Sequence, residues 1–283
     1  MDGHGRAVAP AAGTVLNALA TGRGAAFAID LETTATVDLD GSGEYRGEVA
    51  DAPDADTALV ERCAELAVVE WGDGEGATVR TESEVPMAAG LKSSSAAANA
   101  TVLATADALG VDPDPLSACR IGVKAARDAG VTVTGAFDDA SASMLGGVTV
   151  TDNDRDELLA HEPVDWNVLV WWPDARSFSA DADVERCRRV APLADLVTDL
   201  ALDGRYGEAM TVNGFAFCSA LGYPTDPLLE GMPDVDGISL SGTGPSYVAV
   251  GTTDALESLA EHWNDRDGTT WHTTTRTDGT RTT

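Results

Sequence analysis

The order of apolar and polar positions predicts short strands alternating with longer helices. Val8 to Ala20 is a small and apolar run broken by Gly13, and the T-G-R-G that follows predicts a flexible turn. Gly24 to Ile29 is apolar throughout, whereas Thr33 to Leu39 alternates as a half-buried strand does. Asp40 to Gly47 reads as a turn-rich connection. From Asp56 to Trp71, Leu59, Cys63, Leu66 and Val69 recur at helical spacing, and Ala77 to Glu82 predicts another strand. Ser93 to Leu109 is an alanine-rich helix, and Pro115 opens a further helix reaching about Ala129, with Gly130 placed to end it.

Val131 to Thr134 is β-prone, and Gly135 to Asp139 turns into a short helix. Gly146-Gly147 precedes a strand at Val148 to Thr151. Asp152 to Glu162 is polar and is the expected boundary between residues 1–155 and residues 156–283. Asp165 to Trp172 predicts a buried strand. Helical segments follow at about Ser179 to Leu202 and at Tyr206 to Leu221. Ile238 to Leu240 and Ser246 to Val250 predict strands around S-G-T-G-P, before a helix at Asp254 to Asn264 and a last strand at Thr269 to Thr277. No period points to internal repeats. The fold class is α+β.

Composition narrows the function. Hydrophobic residues are 43% of 283, enough for a substantial interior, while aromatics at 5% point to close backbone packing rather than a core of large rings. The net charge is -29, from 47 acidic against 18 basic residues, and only Lys92 and Lys124 are lysines. That field repels nucleic acid, and no basic patch offsets it. Acid spread along the whole chain with almost no lysine resembles proteins of salt-loving organisms, where salt screens the self-repulsion. Cys63, Cys119, Cys187 and Cys218 form no C-x-x-C pair, and four scattered histidines complete no zinc site. The N-terminus lacks an apolar signal core and no apolar run spans a bilayer, so the expectation is a cytoplasmic protein with no membrane partner.

The segment Pro86-Met87-Ala88-Ala89-Gly90-Leu91-Lys92-Ser93-Ser94-Ser95-Ala96 carries the strongest chemistry. Small residues let the backbone approach an anion, and serines at a helix start offer free N–H groups at the positive end of the helix dipole. Three serines alone would be an ordinary N-cap. Lys92 is either a point cation for phosphate or a solvent-facing loop lysine. A second segment, Gly135-Ala136-Phe137-Asp138-Asp139, reads by itself as a helix start with acids in its first turn. A third, Ser241-Gly242-Thr243-Gly244-Pro245, reads as a glycine-rich turn between strands.

Together, in this order and at this spacing, the three segments resemble the GHMP kinases, the family of galactokinase, homoserine kinase and mevalonate kinase. The resemblance implies a two-lobed GHMP kinase fold. Its N-terminal lobe is expected to resemble ribosomal protein S5 domain 2 and its C-terminal lobe to be ferredoxin-like. It implies ATP and Mg2+ as cofactors, with residues 86–96 on the phosphates and Ser94 on the metal. Asp138 aligns with the family's catalytic aspartate, with Asp139 as the fallback, and Lys92 is expected to assist. The usual family pattern has glycine or serine where this chain has Lys92. Asn17, Asp138, Gly242 and Gly244 are the candidate acceptor contacts.

The N-terminal run at 11–27, the Lys92 form of the loop and A-G-V-T-V-T-G-A-F-D-D at 129–139 resemble one branch of the family, the archaeal shikimate kinases. That implies shikimate as the small-molecule partner, phosphorylated on its 3-hydroxyl. Arg6 or Arg23 could meet its carboxylate, although both also read as plain surface charge. Another GHMP kinase acting on homoserine or mevalonate, or a ligand sensor without turnover, are the alternatives.

Overall fold

A computed structural model describes residues 3–50, 52–85, 90–173, 182–232 and 234–283. The first lobe begins with two long antiparallel strands, β1 (His4–Leu16) and β2 (Arg23–Asp40), then β3 (Tyr45–Val49), α1 (Ala58–Trp71) and β4 (Gly76–Ser83). Helices α2 (Ser93–Leu109), α3 (Pro115–Asp128) and α4 (Phe137–Leu145) follow, and then the hairpin of β5 (Val148–Asp152) and β6 (Glu157–Glu162). The sheet runs β3-β4-β2-β1, with β5 and β6 added along the first half of β2. β3 lies parallel to β4, joined through α1. Two apolar stretches expected as separate segments are one 18-residue strand, β2, whose halves pair with β5 and β4 respectively.

The second lobe is β7 (Asn167–Trp172), α5 (Val184–Arg188), α6 (Ala191–Leu202), α7 (Tyr206–Leu221), α8 (Asp226–Gly231), β8 (Gly237–Leu240), β9 (Tyr247–Gly251), α9 (Thr253–Asn264) and β10 (Thr269–Thr274). Its antiparallel sheet has the order β10-β7-β9-β8, a ferredoxin-like arrangement. The single long helix expected from Ser179 starts outside the described residues and is broken between α5 and α6, where Pro192, in the first turn of α6, has no N–H with which to continue the helical ladder from α5. The chain ends as β11 (Arg281–Thr282) back on β1, so both termini belong to the first sheet. Arg276 and Arg281 hold that return to Asp30 and Glu32 of β2.

Small residues set the packing against the first sheet. Ala7, Ala9 and Ala35 meet Ala96, Ala100 and Ala104 of α2 in one buried cluster, and Gly5 is pressed so close to α2 that a Cβ would overlap the Ala104 carbonyl. The largest cluster crosses between the lobes, joining Val15, Leu16 and Phe27 to Val168, Val170, Val248 and Met210. Phe27 meets Trp166 edge-on, with ring centroids 5.5 Å apart. This shared interior brings the end of β1 and the start of β2 beside the turn between β8 and β9. Among the described residues no helix is long and apolar enough to cross a membrane.

Candidate active site

Three helix and strand ends meet at this junction. α2 starts with no capping side chain, and Lys92 stands at its N-cap in a left-handed conformation, φ 64°. A side chain costs roughly 1–2 kcal/mol there relative to glycine. The open first turn exposes Ser94, half-buries Ser93, and buries Ser95 and Ala96. Leu91, 1% exposed, pins the loop into the interior. Gly90 has φ 80°, and a Cβ on it would come within 2.9 Å of the carbonyls of Ser241 and Gly244. Pro86, Met87, Ala88 and Ala89 lie outside the described residues.

The turn between β8 and β9 leans on that glycine, with Ser241 Oγ donating to the Gly90 carbonyl at 2.9 Å. Gly242 donates its N–H to Thr14 Oγ1 at 2.8 Å, and its carbonyl accepts from Asn17 Nδ2 at 2.7 Å. Asn17 also accepts from Leu19 N–H through Oδ1, and its own N–H donates to Asn213 Oδ1. The Asn17 amide therefore serves the backbone around it from both ends. Gly244 packs against the Tyr223 ring rather than lining the cleft.

α4 supplies the acids. Gly135 (φ 85°) and Ala136 (φ 52°) turn the chain into it, Phe137 is fully buried, and Asn99 of α2 donates to the Ala140 carbonyl. Asp138 and Asp139 stand in the first turn at 3% and 7% exposure. Lys92 Nζ donates to Asp139 Oδ2 at 2.8 Å and sits 2.7 Å from Oδ1, which accepts no hydrogen bond. Burial and the neighbouring Asp138 carboxylate push the Asp139 carboxyl up to about 7, against the pull of Lys92. Asp138 faces the other way. Its Oδ1 accepts from Asn153 Nδ2 at 2.8 Å, and Gly24 leaves the space its Oδ2 needs, since a Cβ on Gly24 would overlap it.

One cleft holds this chemistry, lined by Asn17, Lys92, Asp138, Asp139 and Gly242, with Thr132 to Thr134 along one side. Those threonines were expected as a strand and form none. The Arg127 guanidinium takes the Thr134 carbonyl, so the segment runs along the cleft instead of pairing. A wider groove lies between β3, α1 and α3, but its cations Arg62 and Lys124 are already paired with Asp128. Arg6 stands at the far end of β1 from Asn17, eleven residues away and so roughly 35 Å along the strand. Its guanidinium donates to Thr283 Oγ1. Arg23 is exposed at the first position of β2, next to Gly24. Sequence reasoning missed Gly24, Arg127 and Asn153. The last sat inside a polar run, D-N-D-R-D, that carried only a boundary signal.

The chain matches the GHMP kinases N terminal domain family over residues 58–147. It is 62% identical over 282 residues to a shikimate kinase of Halobacterium salinarum, covering 99% of each chain. It is 50% identical over 263 residues to a shikimate kinase of Methanococcoides burtonii, covering 92% of each. Among solved structures, a mevalonate kinase superposes with a TM-score of 0.78 at 15% identity, over 96% of this chain and 99% of that one. A homoserine kinase from Cytophaga hutchinsonii gives 0.78 at 15%, over 100% and 98%.

Proposed function

The chain belongs to the GHMP kinase family, and from that premise we propose that it is a shikimate kinase, transferring the γ-phosphoryl group of ATP to the 3-hydroxyl of shikimate in aromatic amino-acid biosynthesis. The acceptor rests on one observation, 62% identity along the whole chain to a protein of that name. The geometry supports the same reading by gathering an open helix start, a lysine and two buried carboxylates at one cleft.

In this reading residues 1–155 seat the nucleotide and residues 156–283 close the site through the turn at 241–245. Residues 86–96 cradle the triphosphate on the free N–H groups of α2. Lys92 neutralises phosphate charge, leaving Asp139 for the nucleotide. Asp138 accepts the proton of the acceptor hydroxyl as the new O–P bond forms and the bond from the γ-phosphorus to the β-bridging oxygen breaks, releasing ADP. The donor set fits magnesium bound mainly through phosphate oxygens and water. Among the described residues there is no cluster of three His, Cys, Asp or Glu for a cage, while Ser94 is exposed and Asp139 Oδ1 has no partner but the Lys92 ammonium 2.7 Å away, which an arriving phosphate would draw off. Ser94 and Asp139 would hold the ion, which when bound offsets the charge on the phosphates. The reaction takes place in the cytoplasm.

ADP release measured in concentrated KCl with shikimate, homoserine and mevalonate in turn tests the acceptor. Turnover is expected with shikimate alone. Turnover only with homoserine or mevalonate would overturn the acceptor, and ATP binding with no turnover on any of the three would make the chain a sensor.

A further inference from the structure

Asn153 is fully buried one residue beyond β5, where a plain hairpin turn would expose it. A buried amide must satisfy two donor protons and an acceptor oxygen or lose the cost of desolvating them. Its Oδ1 lies 3.1 Å from the Asp138 N–H and 2.7 Å from the Thr151 hydroxyl. An N–H can only donate, so the orientation of the amide is settled: Oδ1 faces the start of α4 and Nδ2 faces the Asp138 carboxylate, 2.8 Å from Oδ1 of that acid. The Asn153 backbone is held as well, its N–H on the Gly22 carbonyl at 2.8 Å and its carbonyl on Arg127 Nη2 at 3.0 Å. Arg127 is in turn gripped by both oxygens of Asp156, at 2.7 Å each.

We propose that Asn153 is a positioning residue for phosphoryl transfer, its amide holding the Asp138 carboxylate in plane so that the second oxygen meets the acceptor hydroxyl. This rests on the reading of Asp138 as the group that takes the proton. A misplacement of about 1 Å at such a group costs about 10²-fold in rate. An amide fixes the carboxylate without a charge of its own, whereas a guanidinium or ammonium in the same place would weaken it as a base. The charged groups around Asp138 are disposed accordingly. Asp139 and Lys92 lie on the α2 side, Arg127 and Asp156 stand behind the Asn153 backbone, Asp154 packs beside Gly22, β2 presents Gly24, and β5 presents Thr149, whose hydroxyl donates to the Asp138 carbonyl, and Thr151.

The test is kcat and KM with shikimate and with ATP for Asn153→Asp and Asn153→Ala, each checked for a native thermal transition. With Asn153→Asp a carboxylate that cannot donate replaces the amide, so kcat falls about 10²-fold, with KM for ATP nearly unchanged. Asn153→Ala is expected to lower kcat by about 10–10²-fold, again with KM for ATP nearly unchanged. A kcat that stays where it is in both variants, or a fall matched by an equal loss of ATP affinity, would overturn the positioning role. If neither variant folds, Thr151→Val decides, since it removes only the hydroxyl that steadies Asn153 Oδ1: a kcat loss of about 3–10-fold at constant KM supports the role and an unchanged kcat refutes it. Asp138→Asn run alongside separates the two claims. If it is as active as wild type, the proton-acceptor reading fails, whereas inactive Asp138→Asn beside unaffected Asn153 and Thr151 variants leaves that reading standing and removes only the positioning.

Discussion

Asp138 and Asp139 are consecutive and both buried, yet the fold meets them from opposite sides with different groups. On the β2–β5 side, Asp138 faces neutral donors and a glycine, with Asn153 bonded to one oxygen and Gly24 making room for the other. On the α2 side, Asp139 faces a full positive charge on Lys92, itself held in a left-handed backbone. The neutral side fixes a position without adding a charge. The charged side stores a cation beside the open end of a helix, where an arriving phosphate can compete for it. A buried ion pair of this kind contributes little net stability after desolvation, so its place at the cleft is better explained by what it presents to a ligand.

The comparison breaks most sharply at Asp138. Asp138→Asn keeps size and removes the proton acceptor, so kcat is expected to fall about 10³-fold with ATP affinity largely kept, measured by ADP release and nucleotide titration. Normal turnover would move the role to the charged side. Lys92→Met keeps the length of the side chain and removes its charge. A loss of about 10²-fold in kcat/KM for ATP is expected, larger than any change in KM for shikimate. An equal effect on both substrates would mean that Lys92 shapes the cleft as a whole.

The smallest effect is a pH dependence of stability at Asp139. Its folded carboxyl keeps the proton up to about 7, while the unfolded one releases it near 3.8. Between those values the folded state binds the extra proton, so this group's contribution to stability falls as pH rises through that window. In Asp139→Asn the drop in Tm between about pH 5 and about pH 8 should shrink by about 2–4 °C. A drop as large as in wild type would place the titration elsewhere.

Much of the frame was legible because it is local. The helix expected at Ser93 to Leu109 appears with those bounds, since alanine-rich sequence between a glycine loop and Gly110 leaves no other start or stop. Pro115 opens α3 as expected, with Asp114 capping it. Other elements were hidden by their partners. The turn-rich connection expected from Asp40 to Gly47 overlaps β3 at Tyr45 to Gly47, because β3 is an edge strand that exists only by pairing with β4. Val131 to Thr134 has strand composition but no neighbouring strand, and Arg127 takes its carbonyl instead.

By itself, the sequence determined which residue types stand at helix and turn starts: the loop from Gly90 to Ala96, the acids after Gly135 and the glycines around Thr243. Those choices are dictated by backbone geometry and dipole within a few residues, so they can be read from spacing. Only the tertiary structure decided how the two acids divide. Asn153 lies 15 residues from Asp138, Lys92 lies 47 from Asp139, and Gly24 reaches Asp138 across the sheet. Which of two adjacent carboxylates meets an amide and which an ammonium depends on the face each takes when α4 docks between α2 and β5, and no local pattern carries that information.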